Sequence, residues 1–296
     1  MNTPQANKPQ THAHAENRKS ILITGCSSGI GLYAAQQLHQ KGYEVFATAR
    51  NLEDVKKLKD MGLNSLQLDL DSSISIKNAV IRIMEQTNGK LYALFNNGAY
   101  GLPGAVEDLS RYALRAQFET NVFGTFELTN LVLPAMRKQG YGRIIQNSSI
   151  LGFAAMPYRG AYNGSKFALE GLTDTLRQEL HGSNIHISLI EPGPIISDFR
   201  KNAFKAFEKF IDADNSVHKD NYQSMIERLN KEGPAAPFTL GPEAVYQRLL
   251  HALEARRPQV RYYVTKPTYI MGFLKRLLSA RAMDWVLMKA GGGGKR

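Results

Sequence analysis

Residues 20–42 read SILITGCSSGIGLYAAQQLHQKG, and this stretch changes character at its glycines. SILI is a short apolar run of the kind that forms a buried strand. From Gly31 onward, GLYAAQQLHQ carries apolar residues at helical spacing and stops at Gly42. Gly25, Gly29 and Gly31 lie at the junction, where a strand must turn tightly into a helix. Such a helix start offers unpaired N–H groups and the positive end of a dipole, which together hold a phosphate or pyrophosphate. The expected contacts come from Gly25, Ser27, Ser28, Gly29, Ile30 and Gly31. Glycines also close turns that bind nothing, so the weight of the signal rests on its surroundings.

Those surroundings repeat the alternation. YEVFATA, NSLQLDL, LYALFNN, GRIIQNSS and NIHISLIEPG follow as strand-like runs, with helical patterns between them, including long ones over about 105–138 and 160–181. The segment from Phe199 to about Leu240 breaks the rhythm, with Phe199, Phe204, Phe207 and Phe210 set among lysines. GPEAVYQRLLHALEARR then resumes as a helix and PQVRYYV as a seventh strand. Near-continuous apolar strands joined by helices predict an α/β fold with a doubly wound, parallel, seven-stranded sheet in a single domain. Ligands in such sheets bind beyond the C-terminal ends of the strands. The domain is expected over residues 19–265, after a disordered polar extension at 1–18. A basic amphipathic helical extension with a flexible Gly-rich tail is expected at 266–296.

Of the 296 residues, 43% are hydrophobic and 21% charged, enough apolar material for a sizeable core. The single cysteine, Cys26, excludes an intrachain disulfide and any cysteine-rich metal site, and no metal is expected. A lone thiol suits a reducing cytoplasm. The first twenty residues contain no apolar block and read as no secretory signal, with His12 and His14 solvated. No apolar run approaches the ~20 residues that span a bilayer, so a soluble cytoplasmic protein is expected. The net charge of +11 is unevenly spread: from Arg248 onward eleven Lys/Arg face only Glu254 and Asp284, which places nine of the eleven excess charges there. A basic excess confined to one end points to a local anionic partner or to solubility, and no nucleic-acid-binding module accompanies it.

The second strand ends in ATARN. An acid there would accept the ribose 2′-hydroxyl of NAD, whereas the guanidinium of Arg50 favours the 2′-phosphate of NADP through charge-assisted hydrogen bonds. Ser27 can add a hydroxyl to the same phosphate. Asp69 and Leu70 follow the third strand, where the carboxylate could meet an adenine amino group. Asn96 and Gly98 end the fourth strand along the same rim.

Tyr162 and Lys166 lie four residues apart and share one helix face. A free tyrosine, with a pKa of about 10, is poorly matched to proton transfer at neutral pH. A nearby ammonium and an oxidised nicotinamide would both favour phenolate, so Lys166 is expected to tune Tyr162. Ser149, thirteen residues earlier at the end of the fifth strand, could hold a carbonyl oxygen.

Taken in order, these motifs resemble the short-chain dehydrogenase/reductase family over roughly residues 19–264. TGCSSGIG resembles its TGxxxGxG turn, NNG at Asn96–Gly98 its NNAG, and TNVFG carries its helix asparagine as Asn121. SSILG carries the serine as Ser149, YNGSK the YxxxK pair as Tyr162 and Lys166, and EPGPI the turn Pro192–Gly193. The resemblance implies a Rossmann fold and hydride transfer between NADP(H) and a carbonyl or alcohol. It makes Tyr162 the proton donor, Ser149 the group polarising the substrate oxygen, Lys166 the ribose ligand and Asn121 the holder of a relay water. Ile195 and Ser197 would contact the nicotinamide carboxamide. Two departures stand out: glycine precedes alanine in NNGAYG, and YNGSK places Asn163 and Gly164 where small apolar residues are frequent.

By the same resemblance, the segment at about 199–240 is a substrate loop over the nicotinamide. Its phenylalanines, with Tyr100, Leu102, Met156 and Tyr158, suggest a hydrophobic aldehyde or ketone, some of these side chains being core. The closing segments look like the branch of bacterial NADP-dependent aldehyde reductases, beside hydroxysteroid and retinol dehydrogenases. A hydroxysteroid or retinol-type alcohol dehydrogenase and a non-catalytic NADPH sensor are the alternatives. The long helices ending near Lys138 and His181 are where this family forms homodimers or homotetramers. The C-terminal segment is expected to pack on the domain with its lysines facing water; weak peripheral contact with anionic lipid is the other reading.

Overall fold

Aliphatic and β-branched runs form the strands of this computed structural model, which describes residues 18–234 and 236–292. They are β1 (Ser20–Ile23), β2 (Glu44–Ala49), β3 (Asn64–Gln67), β4 (Ala93–Asn96), β5 (Gly142–Asn147), β6 (Ile185–Glu191) and β7 (Arg261–Tyr263). All pair in parallel, in the order β3-β2-β1-β4-β5-β6-β7. The doubly wound seven-stranded sheet is therefore as expected. Its order reverses between β1 and β4, the point at which such sheets leave a crevice.

Strand alternation supplies two cores. Ile21 and Ile23 face α1 (Gly29–Gln40), α2 (Leu52–Asp60) and α9 (Glu243–Glu254), where Ala34, Leu38, Val55, Leu249 and Leu253 are buried. Leu22, between them, faces the opposite layer, built from α3 (Ser73–Gln86), α5 (Thr125–Gln139) and the end of α6 (Gly160–Glu179). Burial on both faces explains why these strands read as apolar throughout.

Three stretches differ in detail from the sequence reading. The helix expected over 105–138 is divided into a 3-10 turn at Val106–Asp108, α4 (Arg111–Phe118), a π-helical segment at Glu119–Gly124, and α5. The substrate loop is mostly helical, with α7 (Phe199–Phe210) and α8 (Lys219–Asn230) enclosing a small core of Ala203, Phe207, Tyr222, Met225 and Leu229. The C-terminal segment forms α10 (Lys266–Leu277) and α11 (Ala280–Ala290). Met271, Met283 and Leu287 anchor this pair on Ile150 and Ala154. Residues 1–17 of the expected polar extension, and the Gly-rich end from residue 293, lie outside the described residues. Among the described residues no helix is long and apolar enough to cross a membrane.

Candidate active site

At the end of β1 the chain turns at Gly25, whose φ of +70° lies in the left-handed region. A Cβ on Gly25 would lie 2.7 Å from the Gly98 Cα, and one on Gly31 2.2 Å from the Gly25 carbonyl oxygen. Neither position admits a side chain, so the turn closes against β4 and opens outward. Ser28 caps α1 in an extended conformation without a side-chain hydrogen bond, and the first turn carries no acid. Ser27 is exposed, Ile30 half-buried, and Gly29 rests against the Ser197 side chain. An unblocked helix start behind a glycine turn with only small side chains fits a phosphate-bearing ligand.

The network beneath this turn was not anticipated from the sequence. Asn97 Nδ2 donates to the carbonyls of Thr24 (3.0 Å) and Gly25 (3.1 Å), while its Oδ1 accepts from Asn147 Nδ2 at 2.9 Å. Thr24 Oγ1 accepts from the backbone N–H groups of Asn97 (2.9 Å) and Gly98 (2.8 Å). Three neighbouring strand ends, β1, β4 and β5, are thereby tied together. Asn96 behaves differently from the expectation: strand alternation buries it, and its Nδ2 donates to Thr129 Oγ1 on α5 at 2.9 Å. Any ligand contact of Asn96 therefore falls to its backbone. The doubled asparagine was the available signal, but only the strand order says which one reaches the turn.

Along the same rim, Arg50 follows β2 with its side chain exposed, and its carbonyl accepts from Gln67 Nε2 at 3.0 Å. Among the described residues no carboxylate pairs with its guanidinium. Asp69 is half-buried and its Oδ1 accepts from the Asp71 N–H at 3.1 Å; Leu70 is buried. Beyond β6, the Pro192 carbonyl accepts from the Ile150 N–H at 2.8 Å, and Gly193 abuts Thr265. Ile195 bridges to Leu240, which fixes the strand-like path that leads to Ser197.

Ser149 follows β5 and caps the 3-10 turn Ile150–Gly152, its Oγ accepting from the Leu151 N–H at 3.1 Å. Tyr162 and Lys166, one turn apart on α6, are both buried. The Ser149 hydroxyl lies beside the Tyr162 phenol and favours its ionised form. Lys166 Nζ donates to the Asn147 carbonyl at 2.8 Å and lies 5.7 Å from the Tyr162 ring centroid. Asn121 occupies the π-helical segment, a distortion frequent at functional sites. Its Nδ2 donates to the Tyr100 carbonyl (2.9 Å) and Ser165 Oγ (3.1 Å), and its Oδ1 accepts from the Tyr100 N–H (3.2 Å). With the side chain so engaged, a water held by Asn121 would belong to its main-chain carbonyl.

Burial dominates the electrostatics of this pair. Burial pushes the Tyr162 phenol up to about 12, and the neighbouring Ser149 hydroxyl pulls it back only in part. Burial likewise lowers Lys166 to about 8, opposed by the carboxylate of Glu170. Desolvation is thus the leading influence on both groups among the protein's own residues. Behind α6, Arg261 on β7 binds Glu170, Glu191 and Asp174, the last at 2.6 Å. Glu191 is fully buried; burial foremost and Glu170 beside it raise its pKa, against the pull of Arg261.

On the open side, Phe199 stacks edge-on against Tyr162 with ring centroids 5.3 Å apart and leaves 37% of its surface exposed. Leu102 and Phe207 belong to the core beneath α7, with Phe204, Phe210 and Tyr158 partly buried around it. Met156 packs under α10 and α11. Of the four loop phenylalanines, Phe199 is thus the one whose ring meets Tyr162.

Residues 19–207 match the family model for short chain dehydrogenases. The uncharacterised oxidoreductase YbbO of Escherichia coli K12 is 42% identical over 270 residues, covering 91% of this chain and 94% of that protein. Human 17-beta-hydroxysteroid dehydrogenase type 1 is 34% identical over 263 residues, covering 84% and 78% respectively. A solved short-chain dehydrogenase from Streptomyces avermitilis shares the fold with a TM-score of 0.74 at 24% identity, covering 94% of this chain and 99% of that one. Among solved neighbours, one from Burkholderia phymatum holds NAD and a polyketide ketoreductase holds NADPH. The chain belongs to the short-chain dehydrogenase/reductase family and is an oxidoreductase of that family.

Proposed function

We propose that this protein is an NADP(H)-dependent reductase of hydrophobic aldehydes or ketones. The observation that carries this reading is the convergence of Ser149, Tyr162 and Lys166 on the rim that also holds the glycine turn. The residues that would hold NADP(H) are Gly25, Ser27, Ser28, Gly29, Ile30 and Gly31 around the pyrophosphate, with Arg50 on the 2′-phosphate. Asp69, Leu70, Asn96 and Gly98 would line the adenosine side, and Pro192, Gly193, Ile195 and Ser197 the nicotinamide side. When bound there, the nucleotide supplies the hydride and, once oxidised, a positive charge.

In this mechanism Ser149 donates a hydrogen bond to the substrate oxygen, polarising it as charge develops. Tyr162 donates its proton to the same oxygen. Lys166 holds the ribose and keeps a cation beside the phenolate that Tyr162 becomes. Because burial disfavours that phenolate, this cation and the nucleotide's own charge must act together. The main-chain carbonyl of Asn121 holds the water through which Lys166 reaches solvent. Phe199 shields the Tyr162 ring and supplies an apolar wall to the substrate.

A hydroxysteroid or retinol-type alcohol as substrate is a second reading, favoured by the similarity to the human hydroxysteroid enzyme. A cytoplasmic location goes with the free, buried thiol of Cys26. Assembly as a dimer or tetramer around α5 and α6 is supported by the exposed Phe123, Phe167 and Leu172.

The test is a panel of medium- to long-chain aldehydes, ketones and steroids assayed with NADPH and NADH. Oxidation of NADPH with apolar aldehydes is expected. Loss of the charge-assisted contact in Arg50→Asp should weaken the preference for NADPH over NADH by roughly tenfold to hundredfold. An unchanged preference removes Arg50 from the reading, and no turnover with either nucleotide overturns it.

A further inference from the structure

The geometry points to a docking surface for an anionic phospholipid bilayer on the outer faces of α10 and α11. The inner faces are already used: Met271, Met283 and Leu287 fill the small core against Ile150 and Ala154. A helix pair anchored in this way should present polar residues outward. It does not. Along α10, Ile270, Phe273 and Leu277 recur at spacings of three and four, which forms one continuous stripe, and Phe273 and Leu277 are 63% and 66% exposed. On α11, Trp285 is 61% exposed with Met288 one turn further on. The segment packs on the domain as expected, and large apolar side chains share its outer surface with the lysines.

Charge selects the partner. Lys266, Arg276, Arg281 and Lys289 are exposed along the same two helices, with Asp284 the one acid between Lys266 and Ala290, while the Lys275 ammonium turns to the domain and donates to the Phe153 carbonyl. Lys289 lies 4.0 Å above the Trp285 ring, so cation and aromatic occupy one spot on the surface. Large apolar side chains interleaved with cations of a single sign match the boundary of an anionic bilayer, where the rings enter the acyl region and the cations meet phosphate. A second copy is a poorer partner, because a two-fold contact would bring four cations against four. Between Lys266 and Ala290 five cations against one acid carry four of the eleven units of net charge.

Trp285 is the one tryptophan of the chain, so its emission reports this surface alone. The full chain is mixed with vesicles of phosphatidylcholine alone or containing phosphatidylserine, and both fluorescence and co-sedimentation are read. Expected are a blue shift and at least about a tenfold enrichment on the anionic vesicles, both weakened by high salt. Phe273→Ser/Leu277→Ser and Arg281→Gln/Lys289→Gln should each reduce the enrichment several-fold with thermal unfolding unchanged, since all four side chains are exposed. Unshifted emission with no sedimentation, equal binding to neutral vesicles, or a dimer that the Phe273/Leu277 variant dissolves would overturn the proposal. Carbonyl reduction is not required for any of these readouts.

Discussion

Replacing Asn97 with alanine removes the tie between three strand ends at one stroke. Two hydrogen bonds to the Thr24 and Gly25 carbonyls vanish, and Asn147 Nδ2 loses its acceptor. At about 0.5–1.5 kcal/mol each, with a further cost for a buried donor left unpaired, the loss comes to about 2–4 kcal/mol. For a chain of this size that corresponds to a fall in Tm of roughly 3–7 °C. The Gly25 carbonyl lies under the start of α1, so the turn that would hold pyrophosphate loosens as well. Affinity for NADPH, read by fluorescence titration, should drop at least about tenfold, or 1.4 kcal/mol. Asn97→Asp separates the two effects. It keeps an acceptor for Asn147 but sets a carboxylate against two carbonyls beside an anion site, so affinity should suffer more than stability. An alanine variant with wild-type Tm and wild-type affinity would refute the reasoning.

Gly164 is an interior residue of α6 where an added Cβ would meet the Phe118 ring at 3.6 Å, an ordinary contact, so Gly164→Ala should stabilise by about 0.5–1 kcal/mol in thermal unfolding. A lower Tm would mean that the helix cannot accept the methyl group. Glu191 has a folded pKa raised above its ordinary 4.5, so its favourable contribution is complete below that value and is lost as pH rises through the folded pKa. Wild-type Tm should therefore decline from mildly acidic to alkaline pH more steeply than that of Glu191→Gln, where Arg261, Glu170 and Asp174 remain; parallel curves would show that the buried carboxyl is not the titrating group.

Local pattern carried most of the fold. The glycine turn, the strand runs and the Tyr162–Lys166 spacing are short-range features, and periodicity alone reports them. Asn97, Asn147 and Thr24 are different, because their contacts depend on β1, β4 and β5 being neighbours, a property of strand order and not of any one segment. The helices α7 and α8 were present as apolar spacing at Ala203, Ala206 and Phe207 and at Tyr222, Met225 and Leu229, but lysines and acids between them obscured it. The acidity of Tyr162 was read from its cationic neighbour, whereas the dominant influence is burial, which four residues of sequence cannot reveal. The outward apolar stripe of α10 was hidden for a related reason. An amphipathic pattern shows that two faces differ, and only packing shows which of them meets the core.

The central claim is that the Tyr162 hydroxyl passes the proton that accompanies hydride transfer. The direct measurement compares kcat for NADPH-dependent aldehyde reduction in the wild type and in Tyr162→Phe, with NADPH affinity measured alongside. The account predicts a fall of roughly 10²–10⁴-fold in kcat with affinity for the nucleotide retained. Turnover undiminished by the loss of that one oxygen would contradict it.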